Sequence, residues 1–331
     1  MKQPIKAAIL GMGNMGRRHA KNLMKLEGVT VTGLCGRTME AGRKFNAEQH
    51  CDIPVYDDFD KMLAEVEMDA LVVCLPPNQH NGQIEKAADK GIHIFTEKPL
   101  ALTMERAESI AEAVKKNKVF SQVAYNMRFM SGVTRLKELM DSGVTGRPTL
   151  FTATFECNDL HSSWWRHLDQ GGGQVYEQAI HLYDLATYTM GDAVAVSGFM
   201  GNLCHRDVPG YTIEDTSAVT LLFKTGAMAT IACSNCAEPG EWRLPFYCVF
   251  ENMIANFRDE NSPTFIFTKE GNRGENVTED VDTHMAEIAY FVDVLRGEKP
   301  EFCSIAEGLK NLKVVAAVVE SAKNGGAVQR L

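Results

Sequence analysis

Apolar residues follow two rhythms along this chain. In the first, short apolar runs at Ile5–Leu10, Val29–Cys35, Val55, Ala70–Leu75, His93–Thr96 and Val119–Tyr125 alternate with stretches in which apolar residues recur three and four positions apart. Those stretches predict helices. The first opens at a glycine cluster and carries Met15, His19, Leu23, Met24 and Leu26 at helical spacing; others follow near Met39–Gln49 and Phe59–Val66. Two more are placed by their ends, one opened by Asn78 as N-cap and closed at Gly91, one capped by Thr103. Nearly unbroken apolar runs indicate strands covered on both faces, and their alternation with helices indicates parallel pairing through right-handed crossovers.

The second rhythm is alternation within strands. After a helix near Val133–Met140, the segments Thr149–Glu156, Ala193–Phe199, Thr216–Phe223, Met228–Cys233, Phe246–Phe250, Ile254–Phe257 and Thr264–Phe267 read as strands joined by short turns. A helix over Gln174–Met190 interrupts them, and helices near His284–Arg296 and Ile305–Lys323 close the chain. The expected fold is α/β in two domains. Residues 1–125 form a doubly wound parallel sheet, and residues 126–331 form an α+β domain whose large, mostly antiparallel sheet has helices on one face. No repeat, low-complexity tract or Pro-rich linker marks the boundary.

Composition narrows the function. At 331 residues the chain is long enough for about two domains. Lys and Arg total 34 against 43 Asp and Glu, a net charge of -9, so no global positive field draws nucleic acid or anionic lipid. The apolar share is 45%, yet no run nears the roughly 18 residues of a membrane span, and no basic, then apolar, leader opens the chain. A cytoplasmic protein is expected. Its 9 cysteines suit reduced thiols. The close pair Cys233 and Cys236 has no second pair or His cluster in the sequence to complete a metal site, so no metal is expected.

Gly11-Met12-Gly13-Asn14-Met15-Gly16 fits G-x-G-x-x-G between a predicted strand and helix. Gly11 permits the tight turn, Gly13 lets backbone approach a pyrophosphate, and Gly16 lets helix and strand pack, while the helix N-terminus offers N–H groups, with Asn14 and Met15 in its first turn, to the anion. This is the signature of a Rossmann dinucleotide site. Where an acidic residue would hold a ribose hydroxyl, the chain instead reads Cys35-Gly36-Arg37-Thr38. Arg37 and Thr38 suit a 2'-phosphate, which predicts NADP in preference to NAD; stacking or solvation of Arg37 is the alternative.

Further segments give the chain a family resemblance. They are Leu75-Pro76-Pro77-Asn78 with His80, the triplet Glu97-Lys98-Pro99, Tyr125-Asn126-Met127-Arg128-Phe129, Gly171-Gly172-Gly173 followed by Glu177 and His181, and the helix from Ala286 to Gly297. Together with the glycine loop they resemble the Gfo/Idh/MocA family of sugar and polyol dehydrogenases over nearly the whole chain. The resemblance implies that Lys98 sits beside the nicotinamide and substrate, and that the helix after the triple glycine supplies Glu177 and His181. Leu75, Pro76, Asn78, His80 and Glu97 join Lys98 as expected cofactor contacts, with a structural place for His80 left open. Glu177 stands where the family more often has Asp.

The residues suit that chemistry. Glu177 and His181, four apart on the predicted Gln174–Met190 helix, share one face and can both point into a single cleft. Oxidation of a secondary alcohol removes the hydroxyl proton as hydride leaves, a base role that imidazole, titrating near ~6.5, can fill. Lysine can hydrogen-bond the same oxygen and stabilise developing alkoxide charge. The stretch Asn158–Gln170, with Asn158, Trp164, Trp165 and Arg166, reads as a loop for a carbohydrate or polyol, which presents hydroxyl edges and apolar faces; the tryptophans as loop anchors are the alternative. Arg128 is placed either at the substrate or in a salt bridge that links the two domains. The expected activity interconverts a secondary hydroxyl and a ketone, or an aldose and its lactone. Redox-neutral glycoside cleavage with a tightly held nucleotide remains a second reading, and a non-catalytic nucleotide sensor a third. An open sheet in the second domain suggests a homodimer or homotetramer.

Overall fold

The computed structural model describes residues 4–259 and 262–331. The chain forms two compact units: Met1–Asn126 with Asp282–Leu309, and Met127–Val281 with Lys310–Leu331. In the first unit the strands are β1 (Ile5–Leu10), β2 (Val29–Cys35), β3 (Val55–Tyr56), β4 (Ala70–Val73), β5 (His93–Thr96) and β6 (Ser121–Val123). They lie in the order β3-β2-β1-β4-β5-β6, every neighbouring pair parallel. This is the Rossmann arrangement, whose order reverses between β1 and β4, so the loops leaving those two strands frame a crevice.

The helices form where the spacing of apolar residues predicts them. Asn14–Lys25 buries His19, Ala20, Asn22 and Leu23 on one side. Thr103 caps Met104–Asn117 by accepting the Arg106 N–H. Asn78 does not cap a helix. Pro77 starts a single turn, Pro77–Gln79, that ends at His80 in extended conformation, and the helix Gln83–Asp89 begins only after Gly82, at φ +101. A chain that must turn twice within five residues uses the glycine, and Gln83 Oε1 takes the Asn81 N–H instead. Helix Thr283–Leu295, late in sequence, packs on Asn14–Lys25 and places Ile288, Phe291 and Val292 in the same core as Ile9, Leu34, Val72 and Phe95.

Among the described residues the second unit is built on ten strands: β7 (Pro148–Cys157), β8 (Ala193–Gly201), β9 (Thr216–Phe223), β10 (Met228–Ser234), β11 (Trp242–Arg243), β12 (Phe246–Phe250), β13 (Met253–Phe257), β14 (Pro263–Phe267), β15 (Arg273–Asn276) and β16 (Gln329–Arg330). The order is β15-β14-β13-β12-β7-β10-β9-β8-β16, with β11 beside β7. The sheet is mixed: β10 pairs with β7 in parallel and the other pairs are antiparallel. In β9 buried and exposed residues alternate, as a sheet covered on one face requires. Helix Ile180–Met190 packs against β7 and β10, burying Leu182, Tyr183, Leu185 and Ala186.

Two buried ionic groups organise this unit. Arg128 Nε and Nη2 meet Asp184 Oδ2 and Oδ1 at 2.8 and 2.7 Å, their side chains 3% and 1% exposed. The Tyr188 ring lies 4.5 Å from the guanidinium, and Asn311 Nδ2 donates to the same carboxylate. The second group is Glu214, which accepts the Val175 N–H at 2.8 Å. Gly173, at φ +103, passes so close that a Cβ would collide with that carboxylate. The third glycine of the triplet is thus required by Glu214 as well as by its own backbone. Among the described residues no helix is long and apolar enough to cross a membrane, and all nine cysteines are free thiols.

Burial raises the Glu214 carboxyl from 4.5 to about 7 against the hydrogen bonds from Val175 and its own backbone that lower it. The folded protein therefore binds this proton more tightly than the unfolded chain, and the associated stability, about 3 kcal/mol, is present below pH 4.5 and lost as pH rises through about 7. Glu214→Gln keeps the acceptor for Val175 and cannot ionise. Denaturant unfolding across pH 4.5 to 8 is expected to show the variant gaining on wild type as pH rises; parallel curves would refute the assignment.

Candidate active site

The glycine loop forms the first wall. Gly11, at φ +99, donates its N–H to the Cys35 carbonyl at 2.8 Å, and a Cβ there would run into the Cys74 carbonyl at the end of β4. A Cβ on Gly16 would strike the Gly11 carbonyl. Gly13 differs: it is the N-cap of the first helix, exposed, with nothing within 4 Å of the Cβ position. No side chain caps that helix and no acidic residue sits in its first turn. Its N–H groups and positive end therefore face open space beside Gly13, the cradle that a dinucleotide pyrophosphate requires. Asn14 is exposed and Met15 partly buried next to it. At the end of β2, Cys35 is buried while Arg37 and Thr38 are exposed, and the Thr38 hydroxyl does not cap the helix it precedes. The segment Cys35–Thr38 itself carries no carboxylate, but Asp58 and Asp57, which follow β3, lie near enough to add to the effect of burial in raising the Cys35 thiol.

The loop after β4 is the opposite wall. Cys74 donates its N–H to the Leu10 carbonyl at 2.7 Å, and Leu75, Pro76 and Asn78 follow, partly exposed. His80 is 4% exposed, and burial pushes its imidazole down to about 4, so it is neutral at physiological pH.

At the end of β5 the Glu97 N–H donates to the Val73 carbonyl at 2.8 Å, and the Glu97 carboxylate lies 2.8 Å from His19 Nε2. His19 is wholly buried and the Glu97 side chain is 12% exposed. Behind them Glu287, also wholly buried, has its carboxyl pushed well above the usual range by burial, His19 opposing the shift; His284 Nδ1 is 3.1 Å from Glu287 Oε1. Burial pulls the His284 imidazole below its usual value. Glu97 is thus held from inside the unit, and the half-buried Lys98 follows it through a cis peptide bond to Pro99. His19, His284 and Glu287 were not among the expected site residues. His19 falls on the apolar face of its helix, so nothing in the pattern separates it from a core residue.

Glu177 and His181 do not share a continuous helix. Gln174–Glu177 forms one turn and Ile180–Met190 a second helix. Between them Gln178 has φ -105 and ψ -56, and the Ala179 N–H reaches back five residues to the Gln174 carbonyl at 2.9 Å. Two buried amides hold this junction: Gln174 Nε2 donates to Asn235 Oδ1 at 2.8 Å and Gln178 Nε2 to Cys157 Sγ at 3.2 Å. Glu177 Oε2 accepts the Trp165 Nε1 proton at 2.6 Å, and His181 lies half-buried in the first turn of the second helix.

The expected substrate loop is anchored by its own side chains. Trp165, 2% exposed, packs with Tyr211 and Ile213, and the partly buried Trp164 joins that cluster. Arg166 donates to the Leu160 and His161 carbonyls at 2.7 and 3.1 Å, and Asn158 Nδ2 to the Ala237 carbonyl at 2.8 Å. Arg128 holds Asp184, within one unit. Cys233 and Cys236 part company: Cys233 is buried in β10, whereas Cys236 lies beyond the strand with its Sγ 4.0 Å from His205 Nδ1, a juxtaposition their spacing did not reveal.

Residues 5–125 match the oxidoreductase family with an NAD-binding Rossmann fold, and residues 133–250 match the GFO/IDH/MocA C-terminal domain. Over 99% of its length the chain is 26% identical to scyllo-inositol 2-dehydrogenase (NAD(+)) of Bacillus subtilis, covering 97% of that protein. It is also 26% identical to myo-inositol 2-dehydrogenase of Thermotoga maritima over 98% of each chain. Among solved structures, levoglucosan dehydrogenase in complex with NADH and levoglucosan superposes with a TM-score of 0.91 at 19% identity over 99% of both chains. The glycine cradle, the Glu97-Lys98-Pro99 edge and the matches over both units lead to one conclusion: this chain belongs to the Gfo/Idh/MocA family of oxidoreductases.

Proposed function

We propose that the protein is an NAD(P)-dependent dehydrogenase that interconverts a secondary hydroxyl and a ketone, or an aldose and its lactone, of a sugar, polyol or inositol. The observation that carries this reading is the uncapped helix N-terminus behind an unobstructed Gly13, in a chain aligned end to end with inositol dehydrogenases. Residues 1–125 hold the cofactor, with Gly11, Gly13, Asn14, Met15 and Gly16 at the pyrophosphate, Arg37 and Thr38 at the adenosine ribose, and Leu75, Pro76, Asn78, His80 and Glu97 along the opposite wall. Residues 126–331 bind substrate and assemble the oligomer.

The bound nicotinamide supplies the hydride acceptor or donor. Lys98 Nζ donates a hydrogen bond to the reacting oxygen and stabilises alkoxide charge as it develops. The His181 imidazole takes the hydroxyl proton and returns it in the reverse direction. Glu177, steadied by Trp165 Nε1, orients the substrate. Trp164, Trp165, Arg166 and Asn158 shape the loop over the sugar, and Arg128 acts on it through Asp184 as a positioning residue. Exposed Phe199, Leu222 and Met228, with Leu222 and Met228 directly paired across β9 and β10, favour assembly of copies through this sheet face.

Gly13→Ala separates cofactor binding from folding. Its backbone, at φ -75, accepts a side chain and no protein atom lies near the new methyl, so thermal stability without cofactor is expected to match wild type while nucleotide affinity falls at least about tenfold. Unchanged affinity would remove the pyrophosphate assignment.

The cofactor preference rests on Arg37 and Thr38. NADP is expected to bind more tightly than NAD, and Arg37→Ala to reduce that preference about tenfold or more, the worth of a hydrogen bond to a charged group. Calorimetric titration that gives tighter NAD binding by wild type would overturn it.

Lys98→Met retains the aliphatic stem and deletes the ammonium. Turnover, followed by absorbance of the reduced nicotinamide with inositols and aldoses as substrates, should fall about 100- to 10,000-fold with cofactor affinity intact. Full activity would dismiss the proposed role of Lys98.

A further inference from the structure

Within the second unit, the segment after β8 meets the end of β10 at a cluster of two thiols, an imidazole and a carboxylate. The sulfurs of Cys204 and Cys236 and a carboxylate oxygen of Asp215 lie within 4.8 Å of one another. His205 Nδ1 lies 3.2 Å from Asp215 Oδ2 and 4.0 Å from Cys236 Sγ. We propose that Cys204 Sγ, Cys236 Sγ, His205 Nδ1 and Asp215 Oδ2 form a tetrahedral site for a thiophilic divalent cation of the Zn2+ class. With metal–sulfur bonds near ~2.3 Å and metal–nitrogen or metal–oxygen bonds near ~2.0 Å, the donors of such a site stand roughly 3.3 to 3.8 Å apart. The separations of His205 Nδ1 from Asp215 Oδ2 and Cys236 Sγ, 3.2 and 4.0 Å, and the mutual span of the other three donors, at most 4.8 Å, are within about an ångström of that geometry.

The surroundings hold the donors in place. Asp215 is wholly buried, and its carboxylate accepts the N–H groups of Leu203, Cys204 and His205 at 2.9, 2.8 and 3.0 Å and the Thr216 hydroxyl at 3.0 Å. The turn that carries Cys204 and His205 is therefore folded around a third donor. The His205 ring stacks on Tyr211 at 4.7 Å, which fixes the imidazole plane. A cation that displaces the thiol protons turns the proximity of two sulfurs and a carboxylate into ligation.

The donor set selects the cation. Thiolate sulfur and imidazole nitrogen favour Zn2+ and its relatives, whereas Mg2+ and Ca2+ take oxygen ligands. An ion here ties residues 204–215 to the end of β10. Tyr211 and Ile213 of that segment pack against Trp165, whose Nε1 holds Glu177. The ion is structural, and it stiffens the scaffold of Glu177 without touching the substrate.

The test uses the full-length protein, stripped with a chelator under reducing conditions and titrated with Co2+ as a spectroscopic probe. One equivalent per chain is expected to produce sulfur-to-metal charge transfer in the near ultraviolet and the intense visible bands of four-coordinate cobalt, and one equivalent of Zn2+ to bleach them. Cys204→Ser combined with Cys236→Ser should abolish the bands, and Cys51→Ser, at a cysteine of the first unit, should keep them. Circular dichroism and NADH binding verify that the double variant is folded; if it is not, Cys204→Ser alone, at an exposed position, serves in its place. His205→Gln should weaken cobalt binding at least about tenfold. Wild type without the bands under reducing conditions, bands that persist in the folded serine variants, or displacement of cobalt by Mg2+ would each overturn the proposal.

Discussion

The closeness of two strand ends governs the first unit. The turn after β1 and the end of β4 are locked by the Cys74 N–H on the Leu10 carbonyl, and a side chain at Gly11 would meet the Cys74 carbonyl. The same turn leaves no room at Gly16, so the first helix packs directly back onto β1. That steric demand places a helix N-terminus at the point where strand order reverses. The remaining glycine of the motif is under no such constraint from the protein itself, so the space beside it is available to a ligand. One sequence motif therefore contains two structural glycines and one that faces solvent.

A second theme is the use of buried carboxyl groups to hold backbone in position. Glu97 is held by His19, with Glu287 and His284 behind. Glu214 supports the turn after Gly173, Asp184 neutralises Arg128, and Asp215 gathers three successive N–H groups. Each is costly to bury alone and strongly attached where its partners are supplied. In the first unit Lys98 follows Glu97, and in the second Glu177 and His181 follow Gly173, all only partly buried. Rigidity of this kind suits the proton transfer proposed for them, because a misplacement of about an ångström can cost orders of magnitude in rate.

The parallel sheet was legible because strands covered on both faces are apolar throughout and stand out between amphipathic helices. The hairpins of the second unit were legible from alternation, down to the bounds of β9 and β12. The short strands β11, β15 and β16 were not, since two to four exposed residues carry no periodic signal. Glu177 and His181 were found by motif, but the helix expected to join them is broken at Gln178, because Gln174 and Gln178 bond to Asn235 and Cys157 from other elements. Asn78 has the chemistry of a cap, yet Pro77 starts a turn too early for it to serve as one.

Sequence by itself determined the local conformations: where β-branched runs extend, where helical spacing repeats, and where glycine must turn. It also singled out the glycine loop, Lys98, and the Glu177 and His181 pair as candidates, because such motifs depend on residue type at short range. Tertiary structure decided which polar groups are buried and with whom. His19 meets Glu97 across 78 positions, and Cys236 meets His205 across 31. Such pairings are set by the packing of sheets and helices, and their energies depend on exclusion of water, a property of the folded interior that no local stretch of residues possesses.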